Sequence, residues 1–392
     1  MIANAEFMAE HLLPFGWDTI VVDIQWYEPD AGTDGYRPVS DPVLDAWGRQ
    51  LPAPERFPSA ADGSFRPLAD RVHALGLKFG LHMMRGIPRK AVELGVPILG
   101  AEATAAQIAD RNNLCPWNPD NFGINHPVPG AQAFYDSQLA LFAEWGVDFV
   151  KLDDVLYPPP QWDEIEAYSR AIDRSGRPMV LSLSPGKHLS HEHLERLRQT
   201  SQMWRVSDDL WDEWPQLREM FQRAARWAPH QRPGAWGDAD MLPLGRIGIR
   251  AHVGDDRLSR LTPAEQCTML TLWCMMRSPL MFGGHLPDTP AHTLELLQNP
   301  RVLALLESDV SREAVRDGNL VIWTSDTGDE RTVAVFWLGD EQTTLEVNLA
   351  DVGCASAESA TDLWTGASVD AINGAITLEL EPHGTRLVAL NG

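Results

Sequence analysis

The stretch W-G-V-D-F-V-K-L-D-D, residues 145–154, decides the fold. A helical run ends at Gly146, and a short β-rich run follows it and closes on Lys151, Asp153 and Asp154. In an α/β barrel, charged side chains at the carboxyl end of a strand usually belong to the active site. We therefore interpret this stretch as a barrel strand that presents catalytic groups.

The stretch W-R-V-S-D-D, residues 204–209, ends another strand in the same way. Around both stretches the chain alternates strand and helix up to about residue 309. This alternation predicts a parallel sheet, and eight such units close into a (β/α)8 TIM barrel. The predicted strands lie at residues 19–26, 77–82, 147–153, 178–184, 202–205, 237–242 and 278–284.

These are seven strands, and a (β/α)8 barrel needs eight. The chain opens on a helical pattern, so either the first strand has been lost or the true start lies upstream. A lost strand would expose two sheet edges. We therefore expect poor stability, or a homo-oligomer that compensates for it.

From about Val310 the pattern changes to short runs with period-two alternation, separated by Gly, Asp and Asn turns. Such runs are typical of an antiparallel β-sandwich. We predict two domains, a catalytic barrel over residues 1–309 and a C-terminal sandwich over residues 310–392.

The chain of 392 residues carries a formal net charge of −23. This balance argues against nucleic acid or an anionic membrane as partner, because both bind basic faces. No stretch is apolar for long enough to span a bilayer, and residues 1–13 lack the pattern of a signal peptide. The four cysteines form no C-x-x-C pair, so we expect a reducing, cytoplasmic location.

Lys151 and Asp153 are two residues apart, so on a strand their side chains point to the same side. A cation close to Asp153 would lower the pKa of that carboxyl group and keep it ionised, as a nucleophile requires. The alternative is an ion pair at the strand end with no catalytic part.

Asp208 and Asp209 are adjacent, and neighbouring carboxylates repel, so one of them tends to keep its proton. A protonated acid beside an ionised one is what glycoside cleavage needs. The alternative is a solvated helix start, where Asp is also favoured.

With one strand between the two motifs, their backbones should be about 10 Å apart, at a strand spacing of about 4.8 Å. Inward side chains could then meet at roughly 5–6 Å, the spacing of retaining enzymes.

Other chemistries find less support in the sequence. His191 and His193 open a helix and face different directions, so we reject them as a metal site. There is no Gly-rich phosphate loop and no G-x-S-x-G motif. The fifteen tryptophans are many for this length. Trp on loops above a barrel stacks on sugar rings, although many of these residues will belong to the core.

Together these residues resemble the melibiase-type α-galactosidases, glycoside hydrolase family 27, over nearly the whole chain. The matching segments, in order, are V-V-D-I-Q-W-Y, G-L-K-F-G-L-H, W-G-V-D-F-V-K-L-D-D, W-R-V-S-D-D, W-G-D-A-D-M-L and W-C-M-M-R-S-P-L-M. The chain looks like a divergent bacterial-type member. The resemblance implies a (β/α)8 barrel followed by a β-sandwich, retention through a covalent glycosyl-enzyme, and no metal or organic cofactor.

The resemblance also implies roles for single residues. Asp153 matches the nucleophile and Asp209 the acid/base. Lys151, Arg205 and Asp23 match positions that hold sugar hydroxyls. The full set of expected substrate-binding residues is Asp23, Trp26, His82, Arg85, Trp117, Lys151, Asp154, Ser184, Arg205 and Asp208, with Asn118 as a further candidate.

The chain departs from the family pattern around the sugar. Ile24 stands where relatives have a second carboxylate, and His82 where they have a sugar-contacting Tyr. Ser184-Pro185-Gly186 replaces a Cys-Glu-Trp turn, Val155 replaces a disulfide cysteine, and the W-N-S-W-type first strand is absent. The cleavage chemistry looks kept, whereas recognition of galactose looks rewritten.

We therefore predict a retaining glycoside hydrolase that acts on α-galactosides or a sugar of related stereochemistry, such as a β-L-arabinopyranoside. One alternative is another sugar altogether, as in relatives that act on dextran, an α-glucan. The other is a carbohydrate-binding protein that has lost catalysis together with its first strand.

Overall fold

The computed structural model describes residues 1–32, 35–37, 39–250, 253–327, 330–354, 357 and 359–391. Its internal contacts divide the chain into two compact units. Unit 1 comprises Met1–Asp208 and Gly248–Asp255, and unit 2 comprises Asp209–Ile247 and Asp256–Gly392. The predicted boundary at residue 309 follows a change in secondary structure, because antiparallel strands begin at Val310. As a domain boundary it stays a prediction.

Unit 1 contains five parallel strands, each hydrogen-bonded to the next in chain order. The carboxyl ends of parallel strands meet at one edge of a sheet, so the residues that follow them are brought together. The register sets His82 opposite Lys151, and Lys151 opposite Ser182. The five strands are Thr19–Val22, Lys78–Met84, Phe149–Asp153, Val180–Leu183 and Met203–Arg205.

The helices of unit 1 alternate with these strands as predicted. Ala131–Trp145, for example, ends at Gly146, whose φ of 84° lies in the left-handed region that favours glycine. A small antiparallel sheet of Ile87–Pro88, Asn121–Ile124 and Ala109–Leu114 lies within the same unit. The other α-helices are Ile2–His11, Arg66–Ala74, Arg89–Leu94, Ala105–Ile108, Trp162–Ser175 and Leu194–Thr200, with 3-10 turns at Leu13–Phe15, Pro58–Ala60 and His191–His193.

Two of the predicted strands lie in unit 2, and both are shorter in the structure than predicted. The strand expected over residues 237–242 is Trp236–Asp238, and the one expected over 278–284 is a single parallel bridge between Phe282 and Leu242. The α-helices here are Trp214–Trp227, Pro263–Met276, Ala291–Leu297 and Pro300–Leu303. The 3-10 turns are Ala228–His230, Leu286–Asp288, Ala304–Glu307 and Leu349–Val352, and Arg246–Ile247 pairs with Arg257–Leu258.

The last part of unit 2 holds two antiparallel sheets. Inward residues of both, including Val333, Val335, Val347, Ile376 and Val388, form one apolar core, which is the packing of a sandwich. The larger sheet has the order Val310–Asp317, Leu320–Thr327, Glu330–Trp337, Thr385–Asn391, Ser359–Asp362, Ser368–Val369. The smaller has the order Thr343–Asn348, Ala375–Leu380, Ala371–Ile372. Among the described residues, no helix has the length and apolarity to cross a membrane.

Candidate active site

The imidazole of His82 lies between two carboxylates at the ends of the two strands that flank its own strand. Its Nε2 atom is 2.9 Å from Oδ2 of Asp153, and its Nδ1 atom is 2.7 Å from Oδ1 of Asp23. The His82 side chain is only 6% exposed, whereas that of Asp23 is 88% exposed. The three side chains therefore form a line that runs from the buried Asp153 to the solvent.

Each carboxylate accepts a hydrogen bond from the imidazole only if the facing ring nitrogen carries a proton, so the geometry favours the imidazolium. Burial and the charge of Lys151 lower the pKa of His82. The hydrogen bonds to Asp153 and Asp23 outweigh both effects, and the pKa of His82 is raised.

The pKa of Asp153 is shifted in the opposite direction. Burial raises the pKa of this carboxyl group. The hydrogen bond from His82 and the positive charge of Lys151 lower the pKa by more than burial raises it, and Ser184 lowers it as well. The net result is a pKa well below the ordinary value for Asp. Oδ1 of Asp153 also accepts a hydrogen bond of 2.8 Å from the backbone N–H of Asp154. Asp153 is thus an ionised carboxylate at the end of its strand, as a nucleophile requires.

Arg85 and Asp154, both expected to contact the sugar, are paired with each other. The Nη2 atom of Arg85 is 2.7 Å from Oδ2 of Asp154, and its Nε atom donates to the Asp154 backbone carbonyl over 2.8 Å. Glu164 lies on the far side of the guanidinium, with 4.0 Å between Nη1 and Oε1. Both side chains of the pair are buried. The pair connects the ends of two neighbouring strands, and the predicted contact of either residue with a sugar stays a prediction.

Trp26 does not have the sugar-stacking surface that the sequence predicted. It is fully buried, and its indole N–H donates to the backbone carbonyl of His82 over 3.0 Å. Its ring packs against other aromatic rings, including Phe65 and Trp145. A side chain with no exposed surface offers nothing for a sugar to stack on, so Trp26 supports the strand that carries His82. Trp117 is half-buried and lies against Tyr36, with 5.3 Å between ring centroids.

The remaining predicted residues lie on the following strands. Ser184 and Arg205 are buried, and Lys151 is half-buried. Asp208 accepts a hydrogen bond of 3.0 Å from the hydroxyl of Tyr157, a residue that the sequence patterns did not single out. Asp209 is exposed and is the first residue of unit 2. The role of Asp209 as acid/base stays a prediction.

The sequence patterns also did not predict a polar cluster around Asp120. Asp120 accepts hydrogen bonds from Gln25, over 2.9 Å, and from the hydroxyl of Tyr27, over 2.8 Å. The backbone N–H of Asp120 donates to Asn118, another candidate for sugar contact, which is fully buried. These bonds connect two loops of unit 1, and Asn118 takes part in that connection. Only the polar character of the loops could have signalled this cluster.

Two family models match the chain. One, described as alpha galactosidase A, matches residues 123–308, and the other, described as the alpha galactosidase C-terminal β-sandwich domain, matches residues 317–390. A β-L-arabinopyranosidase of glycoside hydrolase family 27 from Geobacillus stearothermophilus is 46% identical in sequence to this chain. Its crystal structure matches the structure of this chain with a TM-score of 0.96. The alignment covers 100% of this chain and 92% of that one. The chain belongs to glycoside hydrolase family 27.

Curated relatives agree with this assignment. Alpha-galactosidase 2 of Arabidopsis thaliana is 23% identical over 88% of this chain and 76% of its own length. Human alpha-galactosidase A is 26% identical over 81% of this chain and 63% of its own length. This family 27 member is therefore a glycoside hydrolase, and the predicted fold class of a (β/α)8 barrel followed by an antiparallel β-sandwich is confirmed.

Proposed function

We propose that this glycoside hydrolase cleaves terminal β-L-arabinopyranosides with retention of configuration. The observation that carries the choice of sugar is Ile24, a half-buried residue beside Asp23 at the end of the first strand of unit 1. Where relatives carry a carboxylate that can accept a hydrogen bond from a sugar hydroxyl, this chain presents an apolar side chain.

A β-L-arabinopyranoside has the ring configuration of an α-D-galactoside but carries hydrogen in place of the hydroxymethyl group. A hydroxyl that loses its acceptor on binding costs about 1–3 kcal/mol. Ile24 should therefore favour the sugar without that hydroxyl. The 46% identical β-L-arabinopyranosidase, whose structure was also determined in complex with arabinose, supports the same choice.

In the proposed reaction, a carboxylate oxygen of Asp153 bonds to the anomeric carbon while the bond to the leaving oxygen breaks. Asp209 gives its proton to that oxygen, and then takes a proton from the water that attacks the anomeric carbon. The attack releases the sugar and restores the Asp153 carboxylate. Lys151 and the exposed Asp23 bind sugar hydroxyls, as their positions in the family pattern imply.

A second substrate, an α-D-galactoside, is supported by the α-galactosidases that match most of the chain. The homo-oligomer expected from the strand count stays a prediction.

The test is a comparison of kcat/KM for three aryl glycosides: β-L-arabinopyranoside, α-D-galactoside and α-D-glucoside. NMR of the first-formed product gives the anomeric configuration. We expect the arabinopyranoside to be preferred by roughly tenfold or more, with retention. Preference for the galactoside would favour the second substrate, and preference for the glucoside would contradict both. Release of the inverted sugar would contradict the mechanism.

A further inference from the structure

We propose that His82 is a positioning residue that holds the nucleophile Asp153 through a charged hydrogen bond and couples it to Asp23, the carboxylate expected to bind a sugar hydroxyl. The proposal rests on the proposed function, because it takes Asp153 as the nucleophile. It replaces the direct sugar contact that the family pattern implies for position 82.

The geometry leaves His82 no free ring nitrogen for a sugar. Nδ1 faces Asp23 at 2.7 Å and Nε2 faces Asp153 at 2.9 Å. The backbone of His82 is held as well, because its carbonyl accepts the indole N–H of the buried Trp26 and its strand pairs in register with the strand of Lys151. A ring fixed in this way can set the position of the nucleophilic carboxylate to a fraction of an ångström, which catalysis requires.

The charges around His82 favour the imidazolium in the free enzyme. Asp23 and Asp153 face the ring from two different strands, and the like charge of Lys151 acts from the same strand as Asp153. The line Asp23–His82–Asp153 carries a net charge of −1 when all three groups are ionised. Once Asp153 is esterified by the sugar, the line becomes neutral, and the imidazolium faces an ester oxygen that must regain its negative charge. A fixed cation at that point stabilises the departing carboxylate in the second step.

Through His82, a sugar hydroxyl that binds Asp23 can also affect the nucleophile Asp153. A hydroxyl that donates to Asp23 draws negative charge away from His82, which leaves the imidazolium a stronger donor towards Asp153. A substrate without that hydroxyl should therefore lose rate as well as binding. In relatives with Tyr at this position, a single hydroxyl cannot donate to both carboxylates.

The main test is the pH profile of kcat/KM for His82→Asn. Removing the cation raises the pKa of Asp153, so the acidic limb should move to higher pH by about one unit or more. At neutral pH, kcat/KM should fall on the order of 10²-fold. Circular dichroism and thermal unfolding would establish that the variant folds, and His82→Gln repeats the measurement if His82→Asn does not.

His73 offers a matched control within the same unit. Its Nε2 atom is 2.8 Å from Oδ2 of Asp148, the residue that precedes the strand Phe149–Asp153. His73→Asn removes an imidazole–carboxylate pair at the opposite end of the same strand. We expect a lower melting temperature and an unchanged acidic limb. A limb that moves equally in both variants would mean that His82 acts only through stability, and would overturn the proposal.

Covalent labelling separates this proposal from the assignment of the nucleophile. A mechanism-based aziridine or epoxide of matching sugar configuration should label Asp153 in the wild-type protein, as read by peptide mass spectrometry, and should label His82→Asn more slowly. Label on another residue of the wild type would overturn the nucleophile assignment. Label on Asp153, together with an acidic limb that His82→Asn leaves in place, would overturn the role of His82 alone.

Discussion

Gly186 lies against the backbone carbonyl of Arg205 so closely that a Cβ atom added to Gly186 would stand 1.6 Å from the carbonyl oxygen. The backbone N–H of Gly186 also donates to the carbonyl of Ser207 over 3.0 Å. The turn Ser184-Pro185-Gly186 is thus pressed onto the end of the strand Met203–Arg205. This contact explains why glycine stands at the third position of that turn.

Gly186→Ala should therefore destabilise the protein by roughly 3 kcal/mol, because the methyl group meets backbone atoms that cannot move aside without shifting a strand. Chemical denaturation measures the loss. Gly176→Ala is the control, since Gly176 has a φ of +73° and no atom within 4 Å of an added Cβ. Its cost should be about 1 kcal/mol, from the left-handed backbone alone. Equal losses in the two variants would contradict the proposed clash.

Asp153→Asn should abolish hydrolysis while leaving the fold intact, because the amide is neutral and a poor nucleophile. Asp153→Ala in the presence of azide should recover turnover and give a glycosyl azide of inverted configuration, since the small anion attacks the anomeric carbon from the vacated side. NMR of the product identifies the configuration. Normal turnover by Asp153→Asn without azide would refute the assignment.

Asp209→Ala should lose activity in a way that depends on the leaving group. Glycosides with a poor leaving group need the proton and should slow on the order of 10²–10⁴-fold, whereas an activated aryl glycoside should be cleaved faster than its intermediate is hydrolysed. Pre-steady-state kinetics would then show a burst. Asp208→Ala is the comparison, because it is the adjacent carboxylate. A leaving-group dependence in Asp208→Ala and not in Asp209→Ala would transfer the role to Asp208.

Ile24→Asp should raise the ratio of kcat/KM for an α-D-galactoside over that for a β-L-arabinopyranoside by roughly tenfold, because the new carboxylate can accept a hydrogen bond from the hydroxymethyl group. Ile24→Asn controls for size without the charge, and Ile24→Val for the apolar contact. If the ratio stays at the wild-type value in Ile24→Asp, position 24 does not choose between these sugars.

Asp212 should make stability depend on pH. Burial raises the pKa of this carboxyl group, but hydrogen bonds from the Arg257 side chain and from the backbone N–H of Arg260, which is 2.9 Å away, lower it below the ordinary value. The stabilisation is therefore fully present above the unfolded-state pKa of about 3.9 and is lost as the pH falls through the folded-state pKa.

We expect Asp212→Asn to lower the free energy of unfolding at pH 7 by about 2 kcal/mol, and the difference from the wild type to shrink in acid. Urea titrations at several pH values measure it. Asp256→Asn breaks the exposed pair with Arg246 and should cost less at neutral pH. A pH-independent difference for Asp212→Asn would show that its ionisation is not the cause.

Local patterns determined the elements of this protein and the chemistry of single strand ends. Alternation with period two placed Lys151 and Asp153 on one side of a strand, because successive side chains of an extended backbone point to opposite faces. The same alternation after Val310 predicted the antiparallel sheets that the structure contains. The family pattern, carried by six short segments, predicted the class of enzyme.

The tertiary structure alone decided which of the predicted polar groups meet. His82 is 59 residues from Asp23 and 71 from Asp153 in the chain, and Arg85 pairs with Asp154 across 69 residues. Trp26 is an aromatic residue of the kind that stacks on sugars, but in the structure it lies in the core. Periodicity encodes the face that a side chain takes on its own strand or helix. Which side chains touch depends on the register between strands that are distant in sequence, and that register arises only when the sheet packs.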